Sequence, residues 1–217
     1  MYQLRRRADA ARRVPAGGFT LIELLITMGI FATMLAIGIP NASNWLLTNR
    51  ARSASEFYAD GFSTARRQAI SSNAASRIVL SPNVNTGQLD WQVDLCFPQP
   101  GTPCNAASGS WSTPAVTAAG DPLGSAGYLS VYRAADALPP AEVLLPSTLP
   151  VGSSEVYFSA LGWVDTTDPL RLTRLRLDPA AKYAKEVPVV ALVVTLAGMV
   201  SKCDPTLPST DNRACPP

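Results

Sequence analysis

Histidine is missing from this sequence of 217 residues, which removes the commonest general base and the commonest metal ligand of proteins. The sequence also lacks a glycine-rich phosphate-binding loop and a cluster of metal ligands. We therefore expect a protein that is not an enzyme and that holds no cofactor and no metal. A serine–lysine catalytic dyad is the alternative that the sequence leaves open, although no motif marks one.

The charged residues nearly balance, with 18 basic and 16 acidic side chains. Residues 1–18 contain five arginines and one aspartate, so the remainder of the chain has 13 basic and 15 acidic residues. The chain beyond residue 18 therefore lacks the overall basic character that is typical of nucleic-acid-binding proteins.

Cysteine occurs at only four positions, which are Cys96, Cys104, Cys203 and Cys215. Four cysteines allow three pairings, and we favour Cys96–Cys104 with Cys203–Cys215 because cysteines close in sequence pair at the lowest loop entropy. A zinc site is the competing interpretation, but cysteine pairs separated by seven and eleven residues, without histidine, suit zinc poorly. Disulfides indicate an oxidising compartment.

The longest apolar run covers residues 19–39 and contains one ionisable side chain, Glu23. As a helix it extends over about 32 Å, which matches a bilayer core of about 30 Å. The basic residues before it predict a cytoplasmic N-terminus and a single membrane pass. A plain membrane anchor would have leucine in place of Glu23, because a carboxylate in mid-membrane costs about 2.5–3.5 kcal/mol. An α-amino group is the cation best placed to offset that cost.

Such an amino group requires a cut just before Phe19. A secretory signal has its small residues after the apolar region, whereas here Gly17 and Gly18 come before it, so the apolar helix stays with the mature protein. The segment Gly-Phe-Thr-Leu-Ile-Glu-Leu-Leu, residues 18–25, resembles the class III leader of type IV pilins and type II secretion pseudopilins.

This resemblance implies cleavage between Gly18 and Phe19 by a prepilin peptidase, followed by N-methylation of Phe19. It also implies that Glu23 pairs with the N-terminus of a neighbouring subunit during assembly. We accordingly predict three parts, namely a prepilin leader (1–18), a transmembrane and filament-core helix (19–40) and a periplasmic pilin-like domain (41–217). A simple single-span anchor is the alternative interpretation.

Beyond the apolar run, small and aromatic residues recur at spacings of three and four, which predicts that the helix continues to about Ser72 with a kink at Pro40. The buried stripe contains Ala54, Phe57, Tyr58, Gly61, Phe62, Ala65 and Ala69. The arginines off this stripe, including Arg66, are expected on a solvated face, with partner contact in a filament as the alternative.

Strand-like patterns follow the helix and predict an antiparallel sheet packed on its second half, which is an α+β fold. The predicted strands cover residues 77–80, 89–97, 128–133, 155–159, 170–177 with a bulge near Thr173, and 187–200 as a buried central strand. In the second of these, Asp90, Gln92 and Asp94 are expected on the solvent face. Residues 98–127 form a long loop that we expect Trp111 to hold against the sheet.

The order of helix and strands, with Phe158-x-x-x-Gly162 and a late apolar strand that runs to Gly198, is similar to H-type pseudopilins and FimT/FimU minor pilins. In some DNA-uptake members a Gly-Arg-x-Arg motif follows that strand, but here the segment after Gly198 has only Lys202 as a basic residue. Together with Lys202, a substitute basic cluster for DNA would consist of Arg171, Arg174 and Arg176. A solvated strand face is the alternative role for these arginines.

The sequence therefore predicts an inner-membrane protein that enters a pilus or pseudopilus as a low-abundance structural subunit. Its expected partners are other pilins or pseudopilins, the prepilin peptidase and the membrane. The alternatives are an H-type pseudopilin of a type II secretion system and a DNA-binding minor pilin.

Overall fold

The computed structural model describes residues 18–216, except for the side chains of residues 40, 41, 43 and 44. The predicted leader therefore lies outside the described residues apart from Gly18. The chain divides into two compact units, Met1–Ser43 and Asn44–Pro217. Helix α1 (Leu21–Ser72) is continuous at Pro40, as the sequence predicts. The kink at Pro40 stays a prediction.

Within the described residues, eight strands follow α1. They are β1 (Ala75–Pro82), β2 (Leu89–Cys96), β3 (Val131–Arg133), β4 (Leu144–Leu149), β5 (Glu155–Phe158), β6 (Arg174–Pro179), β7 (Val190–Val194) and β8 (Val200–Cys203). Short 3-10 helices lie at Gly124–Ala126 and Ala181–Tyr183. All strand pairs are antiparallel and form two four-stranded sheets, β3-β2-β1-β5 and β4-β6-β7-β8. The predicted α+β class is confirmed.

The core of the second unit lies between α1 and one face of each sheet. The helix contributes a stripe of small and aromatic side chains at the predicted spacing, namely Ala51, Ala54, Tyr58, Phe62, Ala65 and Ala69. The first sheet adds Ile78 and Trp91, and the second adds Leu175 and Leu192. Because both sheets pack on one helix stripe, they share a single core.

Two buried polar side chains connect the helix to both sheets. The backbone N–H of Leu89 donates to the hydroxyl of Tyr58 at 3.0 Å, and that hydroxyl donates to Gln88 at 3.0 Å. The amide of Gln88 in turn donates to the carbonyl groups of Pro139 (2.8 Å) and Leu144 (2.5 Å). Burial raises the pKa of Tyr58, so its hydroxyl stays protonated as a donor. These bonds satisfy polar groups that would otherwise be costly inside the core.

The predicted solvent face of β2 is wrong, because Asp90 and Asp94 are buried. Asp94 forms an ion pair of 2.8 Å with Arg77 on β1, and Asp90 accepts hydrogen bonds from Tyr132 (2.5 Å) and from the backbone of Ala135 (2.7 Å). The chain from residue 97 to 135 folds back over this face. The alternating pattern of β2 therefore predicted correctly which side chains share a face. It did not predict that later residues cover the polar face.

The predicted role of Trp111 is confirmed. Its ring lies over the guanidinium group of Arg77, 4.7 Å from the ring centroid, and makes an edge contact with Tyr157 at 5.5 Å. The next residue, Ser112, donates its backbone N–H to Leu95 at 2.8 Å. The pKa of Tyr157 is raised to about 12, first because the side chain is partly buried and second because its hydroxyl donates a hydrogen bond to Glu155. The long loop is thus held onto the outer face of the first sheet.

The first predicted strands differ from the structure by one to three residues at their ends, and the last two differ more. The strand expected over 170–177 is β6, which begins at Arg174. The N–H of Thr173 donates to the carbonyl of Leu149, the residue of β4 that pairs with Arg174, so Thr173 and Arg174 both lie opposite one residue, as expected for the predicted bulge. The strand expected over 187–200 divides into β7 and β8, since Gly198 has a φ of 74° and lies in a tight turn. The edge strand β4, which contains Pro146, was not predicted.

The helix approaches the first sheet closely at Gly61. A Cβ atom at this position would lie 3.0 Å from Ile78 and from the ring of Trp91, closer than ordinary van der Waals contact. Gly61 therefore sets the distance between α1 and the sheet.

We expect Gly61→Leu to lower the free energy of unfolding of the isolated domain (residues 44–217) by about 2 kcal/mol. Overpacking costs up to about 3 kcal/mol, and the better helix propensity of leucine returns about 1 kcal/mol. Ser53→Leu, on an exposed part of the same helix, is the control and should change stability by no more than about 0.5 kcal/mol. Equal denaturant midpoints for the two variants would contradict the close approach at Gly61.

Candidate functional site

The described chain begins with three residues that precede α1. The hydroxyl of Thr20 accepts the backbone N–H of Glu23 at 3.2 Å, and the carbonyl of Thr20 accepts the N–H of Leu24 at 3.1 Å. Thr20 is therefore the N-cap, and Thr-x-x-Glu has the spacing of a capping box. The positive end of the helix dipole favours an acid in this first turn. Glu23 therefore stabilises the first turn of α1, and its side chain is exposed.

The helix surface over Leu21–Ile39 is apolar and uncovered. This segment has a mean hydropathy of 2.1, and none of it is buried. The hydroxyls of Thr27 and Thr33 donate to carbonyl groups one turn earlier, at 2.9 and 2.7 Å, so they leave no unmet hydrogen bond. By length and composition the segment is suited to cross a membrane, and Glu23 is its one ionisable side chain.

The predicted cleavage position is open. The side chain of Phe19 is 87% exposed, and a Cβ atom at Gly18 would have no neighbour within 4 Å. Both residues lie outside regular structure, before the first helical residue Leu21. The bond between Gly18 and Phe19 therefore lies outside α1.

Both disulfides join the cysteine pairs that the sequence favours. Cys96 and Cys104 are bonded with a Cα–Cα distance of 5.9 Å, and Cys203 and Cys215 with 4.8 Å. The first bond closes the start of the long loop, and the second fixes the tail to β8. Because each of the four sulfur atoms is bonded in one of these two disulfides, none is available as a zinc ligand. Across residues 18–216 no group of three or more metal-binding side chains occurs.

The structure does not bring the four basic residues of the predicted DNA cluster together. In the second sheet Lys202 pairs with Leu192, which pairs with Leu175, and both leucines are in the core. Lys202 therefore faces the core side of the sheet, where it forms an ion pair with Glu56 of α1.

The three arginines of that cluster lie elsewhere. Arg174 and Arg176 alternate with the core leucines of β6 and so point to the opposite face from Lys202. Arg174 donates to the carbonyl of Pro216 at 2.8 Å, and Arg176 pairs with Asp178 at 2.7 Å. Arg171 precedes the strand and donates to the carbonyl of Asp168 at 3.3 Å. Each of these groups already has a partner within the chain.

Arg66 has a role that the sequence analysis missed, because an arginine off the helix stripe is expected in solvent. Its Nε donates to the carbonyl of Gly162 at 3.3 Å and to that of Ala197 at 3.2 Å. These carbonyls belong to the turns after β5 and β7, so Arg66 holds a turn of each sheet against α1. In the sequence, Gly162 and Gly198 were the available sign of two tight turns. Both have a positive φ in the structure, 76° and 74°.

The comparisons with known proteins agree with the geometry of the N-terminal segment. A family model described as the prokaryotic N-terminal methylation motif matches residues 15–39. No curated protein and no solved structure matches the chain. The match covers Gly18, Phe19, Glu23 and the exposed apolar helix, and it does not extend to the second unit.

We expect the isolated domain (residues 44–217) not to shift duplex DNA in a gel at about 0.15 M salt. Phosphate contacts supply most nonspecific affinity, and the basic groups here are split between two faces and engaged within the chain. The triple charge reversal of Arg171, Arg174 and Arg176 should leave the gel unchanged, as should the control Arg52→Glu. Salt-sensitive binding that only the triple variant abolishes would contradict this expectation.

Proposed function

We propose that this chain, a type IV pilin-like or pseudopilin-like protein, is a minor subunit of a type IV pilus that acts in pilus assembly. The observation that carries the proposal is the exposed helix surface over Leu21–Ile39, with a single acid close to the cleavage position. A surface of this length and apolarity is stable only in lipid or against other helices. A filament core made of such helices provides the second environment once the subunit leaves the first.

The proposed location before assembly is the inner membrane. The five arginines of residues 1–18 favour a cytoplasmic N-terminus, and residues 19–40 then cross the membrane once. The domain over residues 41–217 would lie in the periplasm, whose oxidising conditions suit its two disulfides. From there the mature subunit would pass into the pilus.

In the proposed mechanism, a prepilin peptidase cuts after Gly18 and leaves Phe19 with a free amine that is then methylated. The methylated amine keeps its positive charge. In the filament core this amine of one subunit meets the Glu23 carboxylate of its neighbour. An unpaired carboxylate in apolar surroundings costs several kcal/mol, whereas the ion pair offsets that cost. The pairing therefore favours one register between neighbouring helices over the others.

A protein of this type is a structural subunit and not an enzyme. The chain accordingly acts through its surfaces, and the relevant partners are other pilin-type subunits and the peptidase that processes it. The low-abundance role rests on the resemblance of the second unit to minor pilins, with its Phe158-x-x-x-Gly162 turn.

The main alternative is an H-type pseudopilin of a type II secretion system, because such proteins share the same anchor and leader. The turn between Phe158 and Gly162 is as compatible with this role as with a minor pilin. Deletion of the gene separates the two: loss of surface pili with normal secretion supports the pilus subunit, and the reverse result supports the pseudopilin.

We expect Glu23→Ala to be processed and inserted normally but to be largely absent from filaments. Without the carboxylate, the amine of the neighbouring Phe19 stays unpaired in the apolar core, which costs about 3–5 kcal/mol per subunit. The measurement is the ratio of subunit in sheared filaments to subunit in membranes, by immunoblot. The exposed acid Glu142 provides the matched control, since Glu142→Ala should enter filaments normally. Normal incorporation of Glu23→Ala would refute the pairing.

We expect Gly18→Ala to leave the leader attached, because the peptidase contacts the residue just before the cut bond. The uncleaved form is longer by 18 residues and migrates more slowly on a gel. Gly29→Ala, in the helix and also without neighbours within 4 Å, should be processed like the unchanged protein. A Gly18→Ala protein whose N-terminal sequence begins at Phe19 is incompatible with this expectation.

A further inference from the structure

We propose that an exposed apolar patch, formed by two adjoining turns and the end of α1, docks onto the globular domain of a neighbouring pilin-type subunit of another kind. This inference rests on the proposed function, since it needs a filament in which such a neighbour is present. The patch, called the turn patch below, consists of Ile70, Leu161, Trp163, Leu196 and Met199.

The two turns of the patch are in direct contact. The N–H of Val164 donates to the carbonyl of Leu196 at 3.0 Å, which links the chain after the first turn to the second turn. A Cβ atom at Gly198 would overlap the carbonyl oxygen of Gly162, so the backbones of the two turns are in close contact. A Cβ atom at Gly162 would be 2.7 Å from Ile70. The two turns that carry Leu161, Trp163, Leu196 and Met199 therefore lie side by side, and Ile70 lies against the first of them.

The turn patch is also held firmly. Ser159 donates its N–H to Trp163 at 2.8 Å, and Thr195 donates its N–H to Met199 at 2.9 Å, so each turn is closed by its own hydrogen bond. Arg66 then joins both turns to α1 through their carbonyl groups. A surface that is ordered before it binds loses less conformational entropy on binding.

Nothing in residues 18–216 covers these side chains. Leu161 is 75% exposed, Met199 60%, Trp163 59%, Leu196 58% and Ile70 47%. Turns usually carry polar residues and glycine at such positions. The exposed apolar area is on the order of 400–500 Å², a size that often marks an interaction site. Tryptophan is moreover the residue most enriched at the energetic centres of protein interfaces.

The area of the patch indicates which kind of partner it suits. A stable complex of free proteins buries about 800 Å² per partner, so the turn patch alone is too small to hold a freely diffusing protein. A subunit whose own N-terminal helix already holds it in the same filament needs much less area, because tethering raises its effective concentration to the millimolar range. A low-abundance subunit is surrounded by subunits of other kinds, which makes one of these the partner.

The test uses the full-length protein in cells that assemble the filament. We expect Trp163→Asp with Met199→Asp to lower the ratio of filament to membrane subunit on the order of tenfold, since charge in the centre of an apolar contact removes it. The control is Val84→Asp, a 96% exposed valine just beyond the C-terminal end of β1, which should assemble normally. All variants must reach the same membrane level and resist limited proteolysis equally.

A photo-crosslinking residue, p-benzoylphenylalanine, placed at Met199 then identifies the neighbour. We expect a crosslink to a different subunit that carries the N-terminal methylation motif, and no such product from position 84. Crosslinks only to a second copy of this chain, or none at all together with normal assembly of the double variant, would overturn the proposal. If Glu23→Ala still fails to assemble in that case, the proposed function stands and only the docking surface is wrong. If Glu23→Ala assembles normally, the proposed assembly mechanism itself is wrong.

Discussion

A helix surface that its own chain leaves bare is the constraint on which the behaviour of this protein depends. Over Leu21–Ile39 no side chain is buried, and the polar hydroxyls within the run bond back to the helix. Water is an unfavourable environment for such a surface, so the first unit requires lipid or other helices. In the proposed assembly, Glu23 is the group of this run that selects the register between neighbours, because a carboxylate in an apolar environment needs a cation.

In the second unit, the later part of α1 is buried in the core of the domain. Beyond Asn44 the small residues of α1 let two sheets pack on a single stripe, and Gly61 allows the backbone of the helix to come close to Trp91. Polar groups of the helix and loops then connect the sheets. Gln88 bonds to the segment before β4, and Arg66 bonds to a turn of each sheet. These bonds also hold in place the turns that expose Trp163 and its apolar neighbours.

The loops of the domain are fixed by a few strong contacts. Trp111 stacks on Arg77, whose charge is matched by the buried Asp94, and the Cys96–Cys104 bond closes the adjacent chain. The tail is fixed in the same way, since Cys203–Cys215 and the bond from Arg174 to Pro216 hold it to the second sheet. These contacts involve Arg77 and Arg174. From local sequence alone, such arginines are expected to face solvent or to contact the phosphates of a nucleic acid.

What the sequence alone determined is what depends on neighbours in the chain. The apolar run, the position of Glu23 five residues after Gly18, the helix stripe and most strands follow from local periodicity, and the cysteine pairs follow from short separations. Tertiary structure decided what depends on distant residues. Asp90 and Asp94 became buried because residues 97–135 fold over them, Lys202 turned to Glu56 because β8 pairs in a register that points it inward, and Arg66 reached the carbonyls of two turns. Local sequence carries no information on these partners, because the burial of a side chain and the face it points to are set by packing between segments far apart in the chain.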